Sequence, residues 1–218
     1  MNKNCLITFL LVMSAGAALA QDLSDDPVWV IRSQMESNIR LVSESQTLLL
    51  ENVIHTLNDD NPAFETVLKL RDNAMAKFFV FDDKHIMCKE VSYENRIFSS
   101  KILNQHFVGL QRAESGKVYL SPMFLYKNKA YYLLGIKNDT SYLMMLFFVP
   151  EVSDRHYAIF HDDGSILINK MGLTKSKIAE WSKIITDADS DKFDKLQNSA
   201  FTVFRPGKKY YIIINEEN

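Results

Sequence analysis

Glycine and proline are scarce in this chain, seven and five among 218 residues, which leaves no material for long flexible linkers or a low-complexity segment. Cysteine is scarcer still. Of Cys5 and Cys88, the first lies in a segment that reads as a removable leader, so one thiol remains and no internal disulfide braces the fold. Blocks of a single charge are also missing. The 25 basic and 27 acidic residues are interspersed, and a net charge of −2 lacks the concentrated cationic face that a phosphate backbone requires, so nucleic acid is excluded as a partner. The chain is otherwise of ordinary globular stock, 47% hydrophobic and 24% charged, with 14 Phe and 9 Tyr to build a core. This composition excludes disorder, collagen-like repeats and a multi-span membrane protein, and the length fits one or two compact domains.

Residues 1–20 have the form of an export signal: Lys3 is the positive start, Leu6–Met13 is a short apolar stretch, and Ala18-Leu19-Ala20 offers small residues for cleavage before Gln21. The alternative is a retained anchor, since Asn4–Ala20 is uncharged, but that run is shorter than the roughly 20 apolar residues of a spanning helix. Loss of Lys3 leaves a net charge of −3. The expected location is periplasmic or secreted. Cys88 falls in an apolar strand pattern and is expected to be a small buried residue.

Asp25-Asp26-Pro27 reads as a helix start, with acidic groups near the free N–H groups and Pro where a donor would go unused. Apolar residues at Val28, Ile31, Met35, Ile39, Val42, Leu49 and Val53 then recur at helical spacing, predicting one helix to about Leu57. Asn58-Asp59-Asp60-Asn61-Pro62 ends it, and Ala63–Asn73 predicts a shorter second helix.

Two matched segments follow. Val80–Met87 resembles Phe160–Leu167 at an offset of 80 residues, each reading as a hairpin around an Asp-Asp turn. Lys129–Leu134 resembles Lys208–Ile213 at an offset of 79. Between them lie helical patterns, Ile97, Phe98, Ile102, Leu103, Phe107 and Leu110 in the first copy, and Ile178, Trp181, Ile184 and Ile185 with Thr174 as cap in the second. The first copy adds a continuous apolar run over Ser141–Val149, suited to a central strand, for which the second shows no equivalent. The order suggests duplication. The expected class is α+β, with residues 21–62 as a long helix, 63–153 as a larger antiparallel-sheet unit and 154–218 as a smaller one.

A long helix leading into two such units resembles the extracytoplasmic Cache family of sensor domains, also called PAS-like or PDC sensors, here with an abbreviated second unit. The residues that carry the resemblance are Phe78–Met87, Val118-Tyr119-Leu120-Ser121-Pro122, Tyr142–Val149 and Tyr157–Asn169. It implies a small amino acid or carboxylate bound in one unit, and a displacement passed along the helix to a membrane receptor. No spanning segment follows Asn218, so an adaptor beside such a receptor is expected. The Arg and Trp-Tyr signature of amino-acid-binding members is not matched: Arg96 follows Tyr93, with no Trp nearby.

Along the path of the connecting helix and the sheet facing it, the candidate ligand-binding residues are Tyr93, Arg96, Tyr119, Ser121, Tyr126, Tyr131 and Asp139. Arg pairs its N–H donors with a carboxylate, and Tyr joins apolar contact to a hydroxyl. The plainer reading makes Arg96 a solvated charge and the tyrosines ordinary sheet residues. Asp187-Ala188-Asp189-Ser190-Asp191 opens like a calcium loop, yet Lys192 stands where Gly is needed and Asn198 where a bidentate Glu is needed, so no metal is expected. The five histidines show no metal-ligand pair on one helical face, and Cys88 with His85 or His106 lacks a third orienting group. Asn138-Asp139-Thr140 reads as a polar turn or a glycosylation acceptor. The expectation is a binding protein, not an enzyme, without cofactor, whose long helix pairs with a receptor or a second copy. The alternative is an envelope scaffold that uses the same fold without a small ligand.

Overall fold

Alternation along the strands decides how this chain is layered, because each apolar strand turns successive side chains to opposite faces. The computed structural model describes residues 27–53, 60–93, 100–152, 156–187, 201–204 and 211–215. Residues 1–26, with the stretch expected to be a leader, Arg96, Ile97 and Phe98, and all of the calcium-like stretch after Asp187 lie outside the described residues. Three helices come first: α1 (Pro27–Glu44), α2 (Gln46–Asn52) and α3 (Phe64–Asp72). The single helix expected from Pro27 is divided at Ser45, whose φ of −113° and ψ of 10° open the turn. Hydrogen bonds from Ser45 N to Leu41 O and from Leu49 N to Ser45 O, 3.2 and 2.9 Å, carry helical pairing across the break. The expected continuation to Leu57 leaves the described residues after Val53.

The first unit contains β1 (Met75–Asp82), β2 (Met87–Ser92), α4 (Ser100–Gln111), β3 (Tyr119–Leu120), β4 (Phe124–Tyr126), β5 (Lys129–Lys137) and β6 (Ser141–Phe148). Its antiparallel sheet runs β2-β1-β6-β5-β3, with β4 also paired to β5. The apolar run after Ser141 is a central strand, as expected, lying between β1 and β5. The second unit contains β7 (Tyr157–His161), β8 (Ile166–Asn169), α5 (Lys175–Asp187), β9 (Phe201–Phe204) and β10 (Tyr211–Asn215), with the separate sheet order β8-β7-β10-β9. Thr174 caps α5, accepting from Lys177 N through Oγ1 at 3.4 Å. The class is α+β, two antiparallel units behind N-terminal helices.

One face of both sheets enters a single core. Phe78, Val80, Tyr132, Leu134, Leu143, Met145 and Phe147 of the first sheet, with Tyr157, Ile159, Tyr211 and Ile213 of the second, pack with Ile31, Met35, Val42, Leu49 and Leu70 of α1–α3. The opposite faces are private. Phe79, Phe81, Tyr131, Leu133, Met144 and Leu146 meet Phe107 and Leu110 of α4. Ala158, Phe160, Ile212 and Ile214 meet Ile185, Ile178 and Trp181 of α5, while Ile184, expected in that stripe, is 47% exposed. Gly135 permits the close seat of α4, since a Cβ there would come within 2.8 Å of Leu110 Cδ1.

The pairing registers correct the sequence match. In each hairpin the ladder shifts at the same place, between Val80 and Phe81 in β1 and between Ile159 and Phe160 in β7. Phe81 therefore corresponds to Phe160, an offset of 79 rather than 80. The positive-φ residues agree, His85 at 64° and Gly164 at 77°. A Cβ on Gly164 would meet the Ser182 carbonyl oxygen at 2.8 Å, so the second hairpin presses its backbone on α5 where the first reaches α4 through the His85 ring. The second match also changes. β10 pairs with β7 as β6 pairs with β1, and so Leu143 and Ile213 occupy equivalent seats opposite Val80 and Ile159. β10 is the counterpart of the central strand β6, and not of β5 as its sequence suggested.

Cys88, expected to be buried, is exposed on β2. The strand is an edge, paired only with β1, and Ile86 and Met87 beside it are exposed too. Polar groups tie α1 into the shared core. Asn38, fully buried, donates through Nδ2 to Tyr132 Oη at 2.8 Å and to Asn73 O at 3.0 Å. Burial holds the Tyr132 hydroxyl far above its ordinary range, against the easing effect of Asn38. Across the units, Tyr211 Oη accepts from Met123 N at 2.7 Å, and burial pushes its pKa up to about 12. Asn38→Ala is expected to lower unfolding free energy by about 2–4 kcal/mol, because it removes the partner of the buried Tyr132 hydroxyl and leaves a hole, while Asn73 O keeps the amide of Gln34. Tyr132→Phe is expected to cost about 1 kcal/mol, the loss of one hydroxyl contact; urea denaturation of both variants measures the difference.

Candidate functional site

The α4-facing side of the first sheet is where polar-tipped side chains collect. Its rows can be read from the pairing: Phe81, Tyr142 and Lys137 in one, Phe79, Met144, Gly135 and Tyr119 in the next, then Lys77, Leu146 and Leu133, and finally Phe148, Tyr131 and Phe124. Tyr131 stacks between Phe124 and Phe148 at centroid distances of 6.0 and 5.1 Å. The Tyr119 hydroxyl lies over Gly109, where any Cβ would collide with it, and burial raises its pKa. His106 of α4 stacks on Phe124 at 4.7 Å, and burial lowers its pKa.

The C-terminal end of α4 is fastened at the opposite edge of this face. Lys137 Nζ donates to Gln111 O at 2.6 Å, and Gln111 Nε2 lies 2.9 Å from His85 Nδ1. The His85 ring meets Phe107 and Tyr142 edge-on, at 5.5 and 5.2 Å, and its Nε2 is 3.4 Å from Tyr142 Oη.

Among the sequence-derived candidates, Tyr119, Tyr126 and Tyr131 are brought together on this face. Ser121 is buried, but its hydroxyl is spent on the backbone, accepting from Leu133 N and donating to Pro122 O, each at 2.8 Å. Asp139 is exposed at the tip of the β5–β6 turn, which Asn138 Oδ1 closes by accepting from Thr140 N and Ser141 N. Tyr93 does not face α4. The alternation that gives Glu90 and Ser92 to that side returns Tyr93 to the α3 side, where burial raises its pKa and the charge of Arg71 lowers it. Arg96 lies outside the described residues.

Lys77 and Glu90 belong to the face and were not among the candidates. Lys77 Nζ is 2.8 Å from Glu90 Oε1, with side-chain exposures of 4% and 41%. Lys77 is paired across the ladder with Ser92 on one side and Leu146 on the other. Its sequence signal is a lysine inside the apolar strand Met75–Phe81, where a surface residue has no place. His106, Phe124 and Tyr142 were missed as well, because aromatic residues on sheets are common and periodicity does not say which share a face.

No protein-family model matches the chain, and no curated protein matches it. Among solved structures, one similar in arrangement is an extracellular ligand binding receptor from Desulfohalobium retbaense DSM5692, at 10% identity and a TM-score of 0.45 over 84% of this chain and 36% of that one. The chain thus spans about a third of that structure. A second is the periplasmic domain of LuxQ from Vibrio cholerae, at 14% identity and a TM-score of 0.44, covering 87% of this chain and 97% of that one. No helix among the described residues is long and apolar enough to cross a membrane.

The environment of His106 sets a pH dependence. Its pKa is lowered from 6.5 by burial, so the unfolded chain binds the proton more readily than the folded one. The stability owed to neutral His106 is complete above about pH 6.5 and is lost as pH falls through the folded value. His106→Phe is expected to flatten the fall in unfolding free energy between about pH 7 and pH 5, measured by urea titration at each pH.

Proposed function

We propose that this chain is an exported ligand-binding sensor or adaptor that takes a small metabolite of the amino-acid or carboxylate type on the α4 face of its first unit. The observation that carries the reading is the difference between the two private faces. The first gathers Tyr119, Tyr126, Tyr131 and Tyr142 with His106 and a buried lysine. The second, equivalent in topology, presents among the described residues Ala158, Phe160, Ile166, Ile178, Trp181, Ile185, Ile212 and Ile214, with Ser182 and Thr186 of α5 beside the Gly164 turn. Aromatic walls carrying a few convergent polar tips suit a small polar ligand better than a face dominated by aliphatic side chains. The proposed output is the displacement of α1, which Asn38 and the shared core join to β5, toward a membrane receptor or a second copy.

A scaffold without ligand is the competing reading, and the tight seat of α4, with Tyr119 over Gly109 and Leu110 over Gly135, favours it. A thermal-shift screen of amino acids, carboxylates and amines separates the two, since a ligand specific for the native state raises its melting temperature by mass action. The sensor reading expects at least one saturating compound to raise Tm by several degrees, and Tyr131→Ala to abolish the rise while leaving the unliganded protein folded. No rise with any compound supports the scaffold.

A further inference from the structure

We infer that a short aliphatic peptide adds to the outer edge of β8, in the cleft between the two units, with its free α-ammonium on Glu151. This goes beyond the α4-face reading and rests on a different part of the molecule.

A cavity of about 420 Å³ opens between the units. The first unit lines it with Leu125 of β4, Ala130 of β5 and Val149 after β6, and the second with all of β8 and the Lys170 that follows. Its size is that of a small-ligand cleft, and junctions between units are where such clefts concentrate. β8 ends its sheet, paired among the described residues with β7 alone. Alternate residues of an edge strand turn N–H and C=O groups away from the sheet, and this edge borders the cavity. Peptide groups are the matching partner, since each brings one acceptor and one donor at the strand spacing. The four residues of β8 extend roughly 13 Å at 3.3 Å each, which a tripeptide covers. Side-chain character follows from the wall. Leu125 is 48% exposed, an aliphatic surface that an apolar peptide covers as it pairs with β8.

Charge sets the direction. Glu151 and Lys170 line the same cavity, and Lys170 Nζ is 3.0 Å from Glu151 Oε2, with half of each side chain exposed. Arg32 with Glu36, Glu65 with Lys69 and Lys177 with Glu180 are pairs of near neighbours on one helix, whereas this one joins the two units. Its backbone is fixed on both sides. Lys170 N donates to Tyr157 O at 2.8 Å, and Val149 N, two residues before Glu151, donates to Ala130 O at 2.9 Å. A half-exposed pair contributes little to stability, so a cross-unit position of this kind has small value as a brace. Both sheets are antiparallel, and antiparallel addition is the more stable pairing. A peptide running antiparallel to β8 begins at the Lys170 end, where its α-ammonium meets Glu151. The carboxylate holds Lys170 through Oε2 and receives the ammonium on Oε1, so no existing partner is displaced.

The test is isothermal titration of the whole protein with Val-Leu-Val, its N-acetylated and C-amidated forms and triglycine, joined to hydrogen exchange of β8. Val-Leu-Val is expected to bind, N-acetylation to weaken it by about 10-fold or more, and C-amidation to change it by less than about 3-fold. Glu151→Gln should weaken the free peptide by about 10-fold and leave the acetylated form unchanged. Leu125→Ala should weaken it by about 3- to 10-fold, and triglycine should bind more weakly than Val-Leu-Val. Bound peptide should slow exchange of the β8 amides and leave the β2 edge as it was. The acetylated peptide is the control for folding: equal weakening of both forms by Glu151→Gln overturns the inference. No binding of Val-Leu-Val at millimolar concentration overturns it, as does a loss on C-amidation in place of N-acetylation. Protection gained on α4 instead of β8 overturns it too and supports the α4 face. The α4-face reading is decided by its own screen of small metabolites, so the two fail separately.

Discussion

The burial of one face of two separate sheets against a common set of N-terminal helices is the constraint on which the remaining features depend. Val80, Leu134 and Met145 from the first sheet and Ile159, Tyr157 and Ile213 from the second share that core with Ile31, Met35 and Val42. Once those side chains are committed inward, period-two alternation leaves Phe79, Tyr131, Leu133 and Met144 on the other side, facing α4. The same alternation delivers Phe160 and Ile212 to α5. Each unit therefore has one face for cohesion and one of its own. The cohesive faces are bound further by Tyr211 Oη on Met123 N, a polar contact between units at a buried position.

Freedom to differ is confined to the private faces. On its face the second unit places mainly aliphatic residues with Phe160 and Trp181, and its hairpin turn uses Gly164 where the first has His85 at a similar left-handed φ. A β-carbon at Gly164 would strike the α5 backbone, so there the turn and helix touch directly. In the first unit the His85 ring spans the corresponding distance and meets Gln111, Phe107 and Tyr142. At its hairpin turn α4 is thereby met by the His85 side chain, whereas α5 is met by the Gly164 backbone.

Much of this was legible in the residues. The α3 span, the buried run of β6 and the cap at Thr174 follow from local pattern, and local pattern is preserved in the structure. What failed depended on neighbours along the sheet. Cys88 sits in a sequence that reads as a half-apolar strand, but burial of such a strand depends on having partners on both sides, and β2 has one. The match between Lys129–Leu134 and Lys208–Ile213 compared like residues, yet the place of a strand in a sheet is decided by pairing, and β10 took the seat of β6. The hairpin offset was displaced by one residue because the ladder shift at Phe81 and Phe160 is invisible in a side-chain comparison. Of the candidate tyrosines, Tyr119, Tyr126 and Tyr131 share the α4 face, while a single step of alternation puts Tyr93 on the α3 side. Lys77 was not singled out, although a lysine inside an apolar strand is a visible signal of a buried charge.

The claim that both units hang on one core is tested most directly by native-state hydrogen exchange of the full chain. Amides in β7 and β10 should open with the same free energy as those in β1, β5 and β6, as one cooperative unit that includes α1. Exchange of β7 and β10 at a distinctly lower free energy, while the first sheet stays protected, would contradict the shared core and leave the two units as independent bodies.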